Sequence, residues 1–229
     1  MPKKIPLNTI ALGVALLFHA CGIIGILLSP YKDWFIHNTP VNLLLMSVML
    51  VLTHPSKNKS FFIFFIAVCA IGFVAEVTGV NTALLFGKYS YSSILGMQLF
   101  NVPLIIGLNW FIIIYCTGTI TQVYEDYMLK KISERGMEMK QQLQFLSFIV
   151  DATLLILLFD WVMEPAAVKL GYWQWDQNII PLYNYFCWII ISALLLVLFR
   201  KLNIARHNIF AVHLFIIQFL FFWILRTFL

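Results

Sequence analysis

Three carboxylic acids stand inside or at the edge of long apolar stretches of the sequence: Glu76, Asp160 and Glu164. Acids are costly in such surroundings, which makes them candidates for chemistry. Asp160 and Glu164 are four residues apart, so on a helix they share one face. Burial and a neighbouring like charge favour the protonated form of a carboxyl group, which can then act as a general acid. We predict these three as catalytic residues; the alternative is that they are hydrated at a membrane interface and cap or orient helices.

Aromatic residues follow the acids in two places with the same spacing, Gly-x-aromatic-x-aromatic, after Gly87 and after Gly171. Their rings could line an apolar cavity and stabilise a cation. The alternative is the belt of Trp and Tyr that is common at membrane interfaces. Two asparagines near these stretches either hold a water and orient an acid, or only bridge helices. The predicted substrate-binding residues are Tyr89, Tyr91, Tyr172, Trp173, Trp175, Asn109 and Asn184.

The sequence shows no pattern typical of a metal or cofactor site. Its four cysteines are isolated in apolar runs, without Cys/His spacing, so we interpret them as core residues. His19 and His213 lack a second ligand at suitable spacing, and no phosphate loop or dinucleotide fingerprint is present. Asp151, deeper in its apolar run, is either a proton relay or a structural hydrogen-bond partner. We therefore expect neither metal nor cofactor.

The elements that must position these residues are membrane helices. The chain has 229 residues, of which 62% are hydrophobic and 11% charged, and apolar runs of about 20 residues recur. We predict an all-α polytopic membrane protein and about seven transmembrane helices, of which the second is short. The predicted spans are roughly 6–28, 40–54, 60–79, 100–121, 143–164, 180–199 and 206–226. The charged segment 122–142 is predicted to be a solvated or interfacial helix that joins two halves.

The basic residues give the predicted orientation. With the N-terminus in the cytoplasm, 11 of the 15 Lys and Arg residues fall in inner segments and 4 in outer ones. The inner residues are Lys3, Lys4, Lys57, Lys59, Lys130, Lys131, Arg135, Lys140, Arg200, Lys201 and Arg206. We predict an integral protein of a bacterial-type cell membrane with a cytoplasmic N-terminus. The net charge of +5 thus reflects topology, and nucleic acid is not an expected partner.

The chain also contains an internal repeat. Glu76 stands eleven residues before Gly87, and Asp160 stands eleven before Gly171. Pro103 precedes Trp110 by seven residues, as Pro181 precedes Trp188. Each unit is predicted to be an acid-ended helix, an aromatic loop and a helix opened by proline. The units, about 60–121 and 143–200, would be parallel repeats within one transmembrane domain, 1–229. A pseudo-two-fold arrangement would bring Glu76 and Asp160 to one cavity.

These same motifs resemble a known family. The motifs are Glu76-x-x-Gly79, Phe86-Gly87-x-Tyr89-x-Tyr91, Val102-Pro103, Asp160 through Glu164-Pro165, Leu170-Gly171-Tyr172-Trp173-x-Trp175 and Ile180-Pro181-Leu182-x-Asn184-Tyr185-x-x-Trp188. They resemble the membrane carotenoid biosynthesis protein family, which includes carotenoid 1,2-hydratases and bisanhydrobacterioruberin hydratases. The stretch Asp176-Gln177-Asn178-Ile179 departs from the family in lacking glycine.

The resemblance implies a hydratase that adds water across the terminal C1=C2 bond of an acyclic carotenoid, without a cofactor. Asp160 or Glu76 would donate the proton, and Glu164 would orient the water. Its partners would be a carotenoid substrate in the lipid phase and membrane lipids, and the oligomeric state is open. The alternatives are a membrane lycopene cyclase, or a non-enzymatic lipid-binding or transport protein.

Overall fold

A computed structural model describes residues 5–204 and 207–229 of the chain. Its helices are α1 (Leu7–Leu27), α2 (Lys32–His37), α3 (Thr39–Thr53), α4 (Lys59–Thr82), α5 (Ile105–Glu134), α6 (Gln141–Lys169), α7 (Leu182–Lys201) and α8 (Ile209–Phe228). All but α2 and α3 are long and apolar enough to cross a membrane, and α3 is a shorter apolar helix. The prediction of an all-α polytopic membrane protein is therefore confirmed, and the short second span corresponds to α3.

The segment between the two halves differs from the prediction. Residues 122–134 are helical, as predicted, but they continue α5 without a break, and the chain leaves the helix after Glu134 before α6 starts at Gln141. The charged part of α5 is rich in Glu, Lys, Met and Leu, which favour helix, and it is followed by Gly136 with a positive φ of 72°. The charges of this segment therefore lie on the extension of α5 and in the loop before α6. Lys3, Lys4 and Arg206 of the charge count lie outside the described residues.

The prolines also act differently from the prediction. Pro165 does not end its helix, since α6 continues to Lys169. A proline lacks the N–H that would bond the carbonyl four residues back, that of Trp161. Arg226 of α8 donates to this Trp161 carbonyl at 2.7 Å, which offsets the lost bond. Pro181 caps α7, and Pro103 lies two residues before α5 rather than in its first turn.

Helix α5 is the centre of the bundle. In its most apolar stretch 78% of the residues are buried, against at most 44% in the other five long helices. It packs against α3, α4, α6, α7 and α8. The remaining helices surround it and keep one face toward the surroundings, as expected of helices that face lipid.

Short strands join the helices at one end of the bundle. They are β1 (Tyr89–Tyr91), β2 (Gln98–Leu99), β3 (Val102–Pro103) and β4 (Trp173–Trp175). Strands β2 and β3 pair locally, whereas β1 and β4 pair across the two halves as an antiparallel ribbon, here called the aromatic ribbon. Its central pair is Ser90 with Gln174, and each of these is the third residue after its motif glycine. The local two-fold axis of the ribbon therefore passes through equivalent positions of the two repeat units.

Candidate active site

The aromatic ribbon separates a polar face from an aromatic face. Because side chains alternate along a strand, the central pair Ser90 and Gln174 is exposed, whereas the flanking residues turn toward the bundle. The rings of the flanking pair Tyr89 and Trp175 lie 4.9 Å apart. The ribbon thus places aromatic side chains from both repeat units over the ends of α4 and α6.

Glu76 of α4 accepts three hydrogen bonds from its own repeat unit. The hydroxyls of Tyr89 and Tyr91 donate to Oε2 at 2.5 and 2.8 Å, and the Trp110 indole donates to Oε1 at 3.0 Å. Burial and then the neighbouring Glu76 carboxyl raise the pKa of both phenols, so the two tyrosines remain protonated donors. Burial favours the protonated form of this carboxyl group, and the three donors oppose that effect by stabilising its ionised form.

Glu164 of α6 receives the corresponding bonds in the second unit. The indoles of Trp173 and Trp175 both donate to its Oε2 at 3.0 Å. No hydrogen bond from the described part of the chain reaches its Oε1. Glu164 is the structural counterpart of Glu76, because both carboxyl groups accept hydrogen bonds from the aromatic residues of their own repeat unit. In sequence spacing, however, Asp160 is the residue that matches Glu76. The difference arises because α4 ends five residues before its motif glycine and α6 only two before its own.

Asp160 lies one helical turn below Glu164 and is also buried, with 1% of its surface exposed. The Asn184 side chain donates to Oδ2 at 3.1 Å, while Oδ1 is buried and has no hydrogen-bond partner among the described residues. Asp160 interacts electrostatically with both Glu164 and Glu76. The structure therefore brings the three predicted acids and Asn184 into one region between α4, α6 and α7.

A small cavity of about 20 Å³ lies between the two glutamates. Its walls are Glu76, Phe86, Tyr89, Tyr91, Ile106, Asn109, Met163, Glu164, Trp173, Trp175 and Trp188. This volume is sufficient for about one water molecule. Salt bridges within the described ranges do not involve the three acids, so no Lys or Arg neutralises them there. The site combines uncompensated carboxyl groups with aromatic faces around a water-sized space.

Two tryptophans of this site were noted in the sequence only as markers of the repeat. Trp110 and Trp188 occupy equivalent positions and stack with ring centroids 4.2 Å apart and planes 16° from parallel. Gly72 of α4 makes room for Trp110, because a Cβ there would lie 2.3 Å from the Trp110 Cγ. Phe86, Ile106 and Met163 are further cavity residues that sequence reasoning did not assign. Only the spacing of the tryptophans from the prolines could have indicated their place.

Other predicted residues lie away from the cavity. The Tyr172 hydroxyl is 2.6 Å from that of Thr39, at the start of α3, and does not reach the acids. Asp151 borders a hollow between α5 and α6, nearer the other end of the bundle. The His19 ring is bonded to the Ala15 carbonyl of its own helix. Across residues 5–204 and 207–229, no cluster of His, Cys, Asp and Glu has the geometry to hold a metal ion.

Comparison with known proteins identifies the family of this chain. A family model described as carotenoid biosynthesis protein matches residues 38–229, which include both repeat units and all three acids. Neither the curated proteins nor the solved structures give a match. Of the helices described above, α1 and α2 precede the matched residues. The chain belongs to the carotenoid biosynthesis protein family.

Proposed function

We propose that this protein is a hydratase that adds water to the terminal C1=C2 double bond of an acyclic carotenoid end group. One observation carries the proposal: two glutamates from equivalent places of the two repeat units face one water-sized cavity with aromatic walls. Proton-initiated addition to an alkene needs an acid, a means of stabilising a tertiary cation, and a bound water. The residues around the cavity can supply each of these.

Glu164 is the proposed proton donor, a role that the family resemblance alone assigned to Asp160 or Glu76. Both indole bonds end on its Oε2, so a proton can sit on Oε1 while those bonds remain. That proton is transferred to C2 of the alkene, which leaves a tertiary cation at C1. Asp160 lies one helical turn away and interacts electrostatically with Glu164. Its Oδ1 accepts no hydrogen bond from the described residues, so Asp160 can hold a second proton.

Glu76 is the proposed base. Its three donors favour the carboxylate, which stabilises the cation at C1 electrostatically and accepts a proton from the attacking water. Asn109 borders the same cavity and is placed to orient that water. The water oxygen bonds to C1, and transfer of the proton from Glu76 back to Glu164 completes the cycle. The net change is one alkene and one water converted to a tertiary alcohol.

Aromatic faces would stabilise the cation and exclude other water. Tyr89, Trp175 and Trp188 border the cavity, and their π faces attract positive charge. A carotenoid end group is larger than the cavity of about 20 Å³, so its entry requires these rings to move. The substrate would arrive from the lipid phase, in a bacterial-type cell membrane with the N-terminus of the protein in the cytoplasm.

The test is expression in cells that make lycopene or γ-carotene, followed by mass analysis of the pigments. A gain of one water per modified end supports the hydratase. A ring-containing isomer of unchanged mass would instead identify a lycopene cyclase, and unchanged pigment would favour lipid binding or transport.

Variants then test the roles of the acids. We expect Glu76→Gln, Asp160→Asn and Glu164→Gln each to abolish the product at normal protein level. Asp151→Asn is the matched control, because it changes an acid of the same helix α6 that borders a separate hollow nearer the other end of the bundle. Full activity in both glutamine variants would contradict the acid–base assignment.

A further inference from the structure

A second, larger hollow lies beside the site, at the same end of the bundle as the aromatic ribbon. It has a volume of about 270 Å³ and is bordered by α1, α2, the start of α3 and α8. Four aromatic rings contribute to its wall, those of Phe18, Trp34, Phe35 and Phe221. Leu17 and Trp34, which also border it, are 59% and 61% exposed, so the hollow opens to the surface of the helix bundle.

This hollow is built largely by the part of the chain that precedes the family match. Helices α1 and α2 lie before residue 38, and α1 packs along α8. Gly25 of α1 fixes the position of α2, since a Cβ there would lie 2.2 Å from the Phe35 ring. The N-terminal helices therefore add a defined cavity to the region that the family model covers.

One hydrogen bond joins the hollow to Tyr172, the residue before Trp173. Thr39 borders the hollow, and its hydroxyl lies 2.6 Å from that of Tyr172. Burial raises the pKa of Tyr172 to about 12, so this phenol remains neutral and the contact persists at physiological pH. The next residue, Trp173, donates to Glu164 and borders the acid cavity. The consecutive residues Tyr172 and Trp173 thus contact the hollow and the proposed reaction site, respectively.

We propose that this hollow binds the conjugated polyene chain of the substrate, next to the end group that reacts between the glutamates. The inference rests on the proposed function for the identity of the reacting end. A flat, rigid polyene packs well against aromatic faces and loses little conformational entropy on binding. A saturated acyl chain of a membrane lipid would lose more. The hollow also opens to the surface beside α1 and α8, which are long and apolar enough to cross the membrane in which such a substrate is dissolved.

Two neighbouring leucines of α1 allow a matched test. Leu17 borders the hollow and is 59% exposed, whereas Leu16 is 52% exposed and does not border it. Leu17→Trp places a large ring at the entrance, and Leu16→Trp adds the same ring on the lipid-facing side. Because both side chains lie outside the core, neither change should prevent folding. Cys21→Trp, at another residue of the hollow, is the second blocking variant.

The readout is the amount of lycopene that stays with the purified protein, measured in a Glu164→Gln background so that no turnover occurs. We expect Leu17→Trp and Cys21→Trp to lower retained lycopene by about tenfold, with Leu16→Trp unchanged. Equal retention in all three variants would overturn the inference. The inference would also be overturned if Leu17→Trp and Cys21→Trp lowered the amount of co-purified phospholipid but left the retained lycopene unchanged. The hollow would then hold bilayer lipid.

A failure of the proposed hydratase function would give a different result from a failure of the polyene-binding proposal. In that case wild-type protein forms no hydrated product, while lycopene retention still depends on Leu17 and Cys21. In active protein, Leu17→Trp should raise KM for the carotenoid and leave kcat close to wild type, because the acids are untouched.

Discussion

Gly72→Ala should disturb the proposed active site, although Gly72 itself does not border the cavity. Gly72 lies in the middle of α4, and a Cβ at this position would come within 2.3 Å of Cγ and 2.6 Å of Cβ of Trp110. These atoms lie next to the main chain of α5, so the ring cannot move aside by a small rotation. Gly13 of α1 is the matched control, since a Cβ there meets nothing within 4 Å.

The expected magnitude follows from the difference between the two alanine variants. Each gains about 0.5–1 kcal/mol from replacing glycine within a helix. Gly72→Ala is also destabilised by overpacking against Trp110, typically by about 1–3 kcal/mol, and Gly13→Ala is not. The shared gain cancels, so Gly72→Ala should be less stable than Gly13→Ala by about 1–3 kcal/mol. For a chain of this size, that is a difference in Tm of about 2–12 °C.

The assay is thermal unfolding of both variants in the same detergent, followed by tryptophan fluorescence. Gly72→Ala should also lower product formation, because Trp110 donates to Glu76 and stacks on Trp188. Equal melting temperatures for the two variants would refute the proposed packing of α4 against α5. Normal activity with lowered stability would show that the Trp110 hydrogen bond is not needed.

Two further predictions use matched pairs. Trp173→Phe should remove one donor from Glu164 and keep an aromatic ring, at a cost of about 0.5–1.5 kcal/mol for a bond to a protonated carboxyl group, seen as about a 2- to 13-fold loss of product formation rate. Unchanged rates would show that this bond is dispensable. Arg200→Ala should lower the Tm, because it breaks a half-buried bidentate pair with a carboxylate of α5. Lys88→Ala, which removes an exposed pair at 3.6 Å, should leave the Tm within about 2 °C; equal losses in both would contradict the burial argument.

The helices and the repeat could be predicted from sequence because hydropathy and residue spacing are local signals. Apolar runs indicated the spans, and the two aromatic motifs were recognised by their distance from Gly87 and Gly171. The length of α5 could not be read in the same way, since its polar extension has good helix formers but no apolar periodicity.

The identity of the paired acids depended on packing that spacing does not reveal. Counting residues from the glycines matched Glu76 with Asp160, whereas the aromatic donors select Glu164. The difference comes from where α4 and α6 end, and helix ends are the least predictable feature of a sequence. The bond from Trp110 to Glu76 spans 34 residues and depends on how α5 lies against α4.

The antiparallel pairing of β1 with β4 has a consequence for the chain as a whole. Each half carries one three-residue strand whose backbone groups find partners only in the other half. A protein truncated before Trp173 would therefore not retain a working first half. Tyr89 and Tyr91 would lie on an unpaired strand edge, and Glu76 would be exposed to water. Two separately expressed halves, by contrast, carry complementary edges and should reassemble into one centre when they meet in the same membrane.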